Sequence, residues 1–229
     1  MRVNVFEINH GDCPYLPDRA WVTDTFQVPR IDGRLYENLL SHGWRRSGNT
    51  FYRNVCPGCT ACLPIRIPTH RFVASKSQRR VIRRNTDVAC TRRRTEFTDE
   101  AYDLYRAYCD ARHGPHDIIG PKQFATFLVE SPVRAEMMEY RVAGRLVGVG
   151  WIDLLADGIS SVYFVFDPAE SGRSLGTFSA LTEISLARDL GLQWVYLGFF
   201  VDGSRKMEYK ARFRPHQLLV SDRWIERTE

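Results

Sequence analysis

The sequence predicts an α+β fold: a mixed sheet flanked by helices, with a small cysteine-containing lobe in front of it. Three observations predict it. Beyond residue 98 the apolar periodicity runs from two helical stretches to three alternating ones, then helical, then extended again. Four of the six cysteines, Cys13, Cys56, Cys59 and Cys62, fall in the first 70 residues. The chain's 229 residues, 44% hydrophobic and 26% charged, suffice for one large core or two small ones. No apolar run approaches the roughly 20 residues that cross a bilayer.

Taken in order, residues 1–13 carry Arg2, Glu7, Asn9, His10 and Asp12 and no apolar stretch, so no export segment is expected. The expected compartment is the cytoplasm, where cysteines stay reduced or serve as ligands. Residues 21–28 read as a strand. Asp32 caps a helix carrying Leu35, Tyr36, Leu39 and Leu40, stopped by Gly43. Short strands over 50–54 and 63–67 flank a cysteine-rich loop. Ser75 and Gln78 have capping-box spacing ahead of a basic helix. A division into 1–70 and 71–229 is expected, with the boundary near 68–75. Thr98 caps a helix to His113 with Ala101, Leu104, Tyr105 and Tyr108 on one face; Pro121 opens a second through Phe124, Phe127 and Leu128. Residues 137–142 and 146–155 form a hairpin about Gly144-Arg145, and 159–166 a third strand. A helix over 174–190 stops at Gly191, and a strand follows over 194–199.

This order resembles the acyltransferase fold of GCN5-related N-acetyltransferases. Such folds hold the pyrophosphate of coenzyme A on a Gly-rich turn at the N-terminus of the helix after the third strand. Here that segment is Arg173-Ser-Leu-Gly-Thr-Phe178. Phe178 stands where a small residue is needed, so a different acyl donor is expected. Fold order alone assigns no chemistry.

Charge adds a second line. The net charge is +5, but residues 76–94 alone carry eight cations (Lys76, Arg79, Arg80, Arg83, Arg84, Arg92, Arg93, Arg94) against Asp87. The remainder of the chain is therefore slightly acidic, and the basic stretch reads as a polyanion site rather than a solvated helix face and exposed strand. On a helix, Arg79 and Arg83, and Arg80 and Arg84, repel one another unless an anion lies between them. The run Cys56-Pro-Gly-Cys59-Thr-Ala-Cys62, with Cys13 upstream, has spacing that suits zinc or an iron–sulfur cluster. Three reduced thiols packing a small lobe read equally well. Cys90 and Cys109 lie in strand and helix patterns and read as core.

The segments Cys13-Pro-Tyr-Leu-Pro17, Gly43-Trp-Arg-Arg-Ser-Gly-Asn49, Cys56-Pro-Gly-Cys-Thr-Ala-Cys-Leu-Pro-Ile-Arg66, Ser75-Lys-Ser-Gln-Arg-Arg80, Ser174-Leu-Gly-Thr177, Tyr196-Leu-Gly198 and Lys210-Ala-Arg-Phe-Arg-Pro-His216 resemble those of bacterial aspartate/glutamate leucyltransferases. That family is the bacterial branch of the arginyl-tRNA–protein transferases of the N-degron pathway, and the resemblance spans almost the whole chain. It implies transfer of leucine from leucyl-tRNA to the α-amine of a protein beginning with Asp or Glu. The implied partners are leucyl-tRNA and such proteins, with no membrane and no DNA. No cofactor is required for the chemistry, and an iron–sulfur cluster or zinc at Cys13, Cys56, Cys59 and Cys62 is the open addition. The alternatives are arginyl-tRNA as donor, a non-catalytic RNA-binding zinc module, and a small-molecule N-acetyltransferase.

Aminolysis of an ester asks for positioning and for stabilisation of the oxyanion, since an α-amine with pKa near 8 supplies its own neutral fraction. Within the resembling segments, Arg45, Arg46 and Arg66 are the candidates to read the acceptor carboxylate, with a surface role open for each. Lys76, Arg79, Arg80, Arg83 and Arg84 are assigned to tRNA. Lys210 and Arg212 are candidates for the terminal nucleotides or the oxyanion. Tyr163, Tyr196 and Tyr209 are candidates to hydrogen-bond amine or ester, with a core role open for the strand tyrosines. Asp202, past a strand end, is a candidate to accept from the attacking ammonium. His113 and His116 read as loop or cap residues.

Overall fold

The hairpin expected over 137–155 forms inside the larger of two sheets in the computed structural model, which describes residues 3–112, 114, 116 and 118–228. The smaller sheet is antiparallel, with strand order β1-β2-β4-β3: β1 Phe6–Asp12, β2 Ala20–Gln27, β3 Arg45–Ser47 and β4 Thr50–Asn54. Helix α1 (Gly33–Ser41) joins β2 to β3, and the Asp32 side chain accepts from the backbone N–H of Arg34 and Leu35. This capping alone contributes about 1 kcal/mol.

The larger sheet has eight strands among the described residues, in the order β12-β11-β5-β10-β9-β8-β7-β6. They are β5 Leu63–Pro68, β6 Val88–Arg94, β7 Ala135–Val142, β8 Arg145–Leu154, β9 Gly158–Phe166, β10 Trp194–Phe200, β11 His216–Val220 and β12 Arg223–Arg227. Strand β5, at the end of the expected N-terminal lobe, lies between β10 and β11 in this sheet. Sheet membership therefore changes between 54 and 63 rather than near residue 70, because the apolar Ile65 and Ile67 find their cover in the large sheet. Strands β1, β3, β11 and β12 are additions to the elements read from the sequence.

Helix α2 (Lys76–Arg84) starts with the expected capping box of Ser75 and Gln78. Helix α3 runs Asp99–Arg112; His113 lies outside the described residues. Helix α4 (Pro121–Phe124) continues as a π-helical turn over Ala125–Val129, and α5 spans Leu175–Asp189. One face of the large sheet is covered by α5 and α2, with Leu181 and Ile184 of α5 in one core with Ile65, Ile67 and Val195 of the sheet. On the other face α3 and α4 bury Tyr105, Cys109, Phe124 and Trp151, while the small sheet and α1 bury Tyr36 and Phe51 against Leu155 and Tyr196. Each such large side chain contributes roughly 1.5–3 kcal/mol on burial.

The large sheet changes direction at its middle. All neighbours in it are antiparallel except β9 and β10, which α5 connects. Their parallel pairing holds only from Gly158/Trp194 to Ser160/Tyr196. There β9 gains an extra residue, since Ile152 faces Ser161 and Trp151 faces Tyr163, leaving Val162 over. Strand β10 gains one against β5, between Tyr196 and Phe199, where Gly198 takes φ +85°. Each bulge bends its own strand, and the two part company into a wedge.

Candidate active site

Two strands that part leave peptide groups without their ladder partners, and buried peptide groups demand replacements. Cations supply them. Arg45, on β3, donates from Nη2 to the Ser161 carbonyl at 2.8 Å. Lys210, in the 3-10 turn Glu208–Arg212, donates from Nζ to the Phe199 carbonyl at 2.9 Å. Both side chains are buried. They bracket Gly198, where a Cβ would stand 3.5 Å from Lys210 Nζ and 3.8 Å from Arg45 Nη2. Any other residue at this positive φ would be strained, although its Cβ would meet both at ordinary contact distance.

The electrostatics come from burial. Desolvation, with Arg45 adding to it, brings Lys210 down to about 7, so its ammonium gains and loses a proton near neutrality. Glu183, on the sheet-facing side of α5, is pushed up to about 7 by burial, against the pull of Ser161, Ser179 and Arg45. Its Oε1 accepts from Ser161 Oγ at 3.3 Å and Ser179 Oγ at 3.2 Å. The wedge thus holds a guanidinium and two groups that titrate near pH 7, the combination seen where protons are handled.

The three arginines expected to read a carboxylate part ways. Arg46 is committed: Nε donates to Asp153 Oδ2 at 2.7 Å, Nη2 to Oδ1, and Nη1 to the Gly48 carbonyl at 3.1 Å, with both partners of the ion pair buried. Arg66 lies between two indoles, 3.7 Å from the Trp194 ring centre and 4.2 Å from that of Trp224, and donates to Gln217 Oε1 at 2.8 Å. Burial holds its pKa below the usual arginine value. Arg45 has no carboxylate in ion-pair reach among the described residues, whose ion pairs all lie elsewhere.

Among the residues expected to be catalytic, the structure brings Lys210 into the wedge, with Tyr209 beside Glu183. Tyr163 is not there. The bulge at Val162 turns it to the α3 face, where it packs on Phe127 and Tyr105. Tyr196 is a core residue against Trp224 on the small-sheet side. Asp202 is exposed in the loop after β10. Glu183 and Ser161 are the additions. Helical periodicity could have found Glu183, which lies four residues from both Ser179 and Ala187 on the buried face of α5.

The basic helix docks next to the wedge. Gln78, the buried residue of α2, donates to the Arg212 carbonyl at 3.1 Å, two residues beyond Lys210. Lys76, Arg79, Arg80, Arg83 and Arg84 are exposed, and none is ion-paired among the described residues. Arg79 and Arg84 donate to the backbone carbonyls of Ala74 and Gly172. Arg212 is exposed beside them. On the coenzyme-like turn, Phe178 packs on Tyr140 at 6.0 Å between ring centres, and Arg173 is held by Asp87 and Glu170.

The cysteines lie close to the wedge, the Cys62 thiol being near enough to Lys210 to interact with it electrostatically. A cavity of about 240 Å³ is walled by Cys56, Cys59, Cys62 and Phe199 among others. Burial, then the neighbouring Cys13, Cys56 and Cys59, push the Cys62 thiol up to about 12. Cys56 Sγ exchanges hydrogen bonds with the Val22 backbone. The four thiols are near enough to perturb one another. Among the described residues, however, no three His, Cys, Asp or Glu side chains converge as metal ligands. The chemistry proposed for the wedge runs through neither a zinc ion nor an iron–sulfur cluster. Nor is any helix of the described residues long and apolar enough to cross a membrane.

Comparison with known proteins gives the family. Residues 11–80 match the family model for the N terminus of arginine-tRNA-protein transferase, and residues 100–220 the model for its C terminus. The chain is 41% identical to an aspartate/glutamate leucyltransferase of Pseudomonas putida (strain W619), covering 98% of this chain and 97% of that one. It is 40% identical to the enzyme of the same name from Pseudomonas fluorescens (strain SBW25), over 98% and 97%. Among solved structures, the C-terminal domain of a protein described as a lysylphosphatidylglycerol synthetase from Agrobacterium fabrum superposes with a TM-score of 0.51 at 11% identity, covering 89% of this chain and 65% of that one. That likeness shows the fold alone. Two family models in sequence order and relatives matched end to end place the chain in the arginine-tRNA-protein transferase family, alongside the aspartate/glutamate leucyltransferases.

Proposed function

We propose that this protein transfers leucine from leucyl-tRNA to the α-amine of cytoplasmic proteins that begin with Asp or Glu, marking them for N-degron proteolysis. Given the family, the observation that carries the reading is Arg45: a buried guanidinium with no ion pair among the described residues, at the mouth of parted strands. A carboxylate arriving there gains a charge-assisted, fork-shaped contact. Lys210 Nζ, at the same opening, stabilises the oxyanion as the amine attacks the ester carbonyl, and at neutral pH it exchanges its proton readily. The exposed cations of α2 receive the tRNA phosphates, and the Gln78–Arg212 contact sets that helix beside the turn carrying Lys210. Phe178 and the engaged Arg173 favour an aminoacyl ester over coenzyme A as donor.

The test mixes the protein with leucyl-tRNA or arginyl-tRNA and peptides beginning with Asp, Glu, Asn or Gln. Mass spectrometry should find leucine added to the acidic peptides only. An arginine adduct in its place would move the donor assignment to the amino acid in the family model's name. Leaving the guanidinium without a counter-charge costs about 2–5 kcal/mol, so the Asp peptide should be preferred over Asn by roughly 30-fold to several-thousand-fold. Arg45→Gln should collapse that preference while tRNA affinity stays near normal. An unchanged Asp/Asn ratio would place the acceptor pocket elsewhere.

A further inference from the structure

Glu183 is the one charged group at the wedge to which the aminoacyl-transfer reading gives no task. It is 1% exposed. Two serine hydroxyls occupy Oε1, while Oε2 is buried and without a hydrogen-bond partner among the described residues. A buried carboxylate oxygen left unpartnered destabilises the fold by on the order of 1–3 kcal/mol or more, so it calls for an explanation. The groups that face Glu183 come from six elements. They are Arg45 from β3, Ser161 from β9, Ser179 from its own helix, Tyr209 from the 3-10 turn, and Tyr140 and Cys90 from β7 and β6. Arg45 is the one cation in that set. It is close enough to favour the Glu183 carboxylate but makes no ion pair with it.

A guanidinium and a carboxylate held near each other, but apart, match one ligand chemistry. An N-terminal Asp or Glu carries its α-ammonium and its side-chain carboxylate a few bonds apart, with the opposite polarity. We propose that Glu183 is the catalytic base of the transfer: its free Oε2 receives the acceptor's α-ammonium while Arg45 holds the carboxylate of the same residue, and it removes the proton that blocks attack. This rests on the proposed aminoacyl transfer. The ammonium gives one proton to Glu183 Oε2, and the freed lone pair forms the C–N bond to the ester carbonyl. The C–O bond to the tRNA ribose then breaks, the leaving oxygen takes the second nitrogen proton, and the third stays as the new amide N–H. Glu183 returns its proton to solvent. Lys210 is the less suitable base, because its cationic form and Arg45 together repel an ammonium. Transfer from an amine of pKa about 8 to a carboxyl near 7 is close to matched, as general-base catalysis requires.

The experiment is the pH profile of kcat/KM for leucine transfer to an Asp-initiated peptide by the full chain. Below pH 8 the acceptor arrives as its ammonium and needs ionised Glu183, so the wild-type rate should rise with Glu183 ionisation and level off once the amine is free. Glu183→Gln keeps an acceptor oxygen for Ser161 and Ser179 but cannot take a proton. It should lose about 10-fold at pH 7, where an amine of pKa about 8 is roughly one-tenth neutral, and its rate should follow the free amine alone. A peptide whose N-terminus is a hydrazine, unprotonated at neutral pH, should erase most of that defect. Ser161→Ala removes a donor to the charged form, so the rise should move to higher pH with little change in the plateau. Misfolding is tested separately. Burial raises the Glu183 carboxyl from 4.5 to about 7, so its ionisation weakens the fold as pH rises through that window. The neutral Gln variant should therefore unfold no earlier than wild type at pH 8. A Glu183→Gln enzyme that folds, keeps the wild-type pH profile and stays within about 3-fold of wild type would overturn the proposal. Failure of the wild type to transfer leucine at all would overturn both this proposal and the function on which it rests.

Discussion

Helix α2 and strand β6 are adjacent in the chain and equally rich in arginine, yet their charges have opposite fates. On α2 the five cations face solvent with no carboxylate in ion-pair reach among the described residues. On β6, Arg92 pairs with Glu136 at 3.4 Å, and Arg93 pairs with Glu139 at 2.9 Å and with Glu96. The strand is the edge of the large sheet. Charge there blunts pairing with another chain, a structural task that needs no ligand. Counting residues 76–94 as one basic site therefore joins an available surface to a neutralised one. The same contrast recurs within β3, where Arg45 is free of carboxylates and its neighbour Arg46 is locked to Asp153. Charge density is read from composition; availability depends on which strand lies opposite.

Four variants sharpen or break this comparison. The largest effect is expected at Arg46. Truncation to Ala leaves the Asp153 carboxylate buried and unpaired, so thermal or urea unfolding should report a loss of about 3–5 kcal/mol. Arg45→Gln, by contrast, breaks no ion pair among the described residues and should be milder by more than half. Equal losses would show that both arginines are structural. Next is α2: Arg80→Glu with Arg83→Glu should weaken tRNA binding by roughly 10- to 100-fold and flatten the slope of log affinity against log salt by about two. An unchanged slope would make the helix a solvated face. The smallest effect belongs to β6. Arg92→Gln with Arg93→Gln should leave tRNA affinity within about 3-fold, while lowering stability by about 0.2–1 kcal/mol per exposed pair. A large affinity loss here would merge the two regions after all.

Elements whose signals are local were legible in the sequence. Asp32 capping α1, the Ser75–Gln78 box of α2, Pro121 at the start of α4 and the alternation of β7 to β10 each lie within a few residues of what they specify. Strand β1 was not, because every one of its residues is exposed and no face alternates. Three-residue β3 is too short for a period. The wedge escaped for a different reason. Its two bulges are defects of register against β8 and β5, strands that the local pattern does not connect. Hence Tyr163, expected to point at the cleft, is turned away by the extra Val162, while Lys210 was found through its segment rather than its position. Glu183 was within reach of helical periodicity, since a carboxylate on an apolar face is the informative exception.

The placement of β5 between β10 and β11 also bears on how the protein is made. The strand ends at Pro68, and its first partner begins at Trp194. At about 5–20 residues per second, a ribosome leaves it unpaired for roughly 6–25 s. Throughout that interval Leu63, Ile65 and Ile67 are an apolar strand with open edges. Pro64 and Pro68 remove backbone donors from it, and Arg66 sets a charge in its middle, the residue types that keep a waiting strand from joining a stranger. The arginine that is clasped by Trp194 and Trp224 in the finished sheet thus stands guard over its strand while both tryptophans are still to be synthesised.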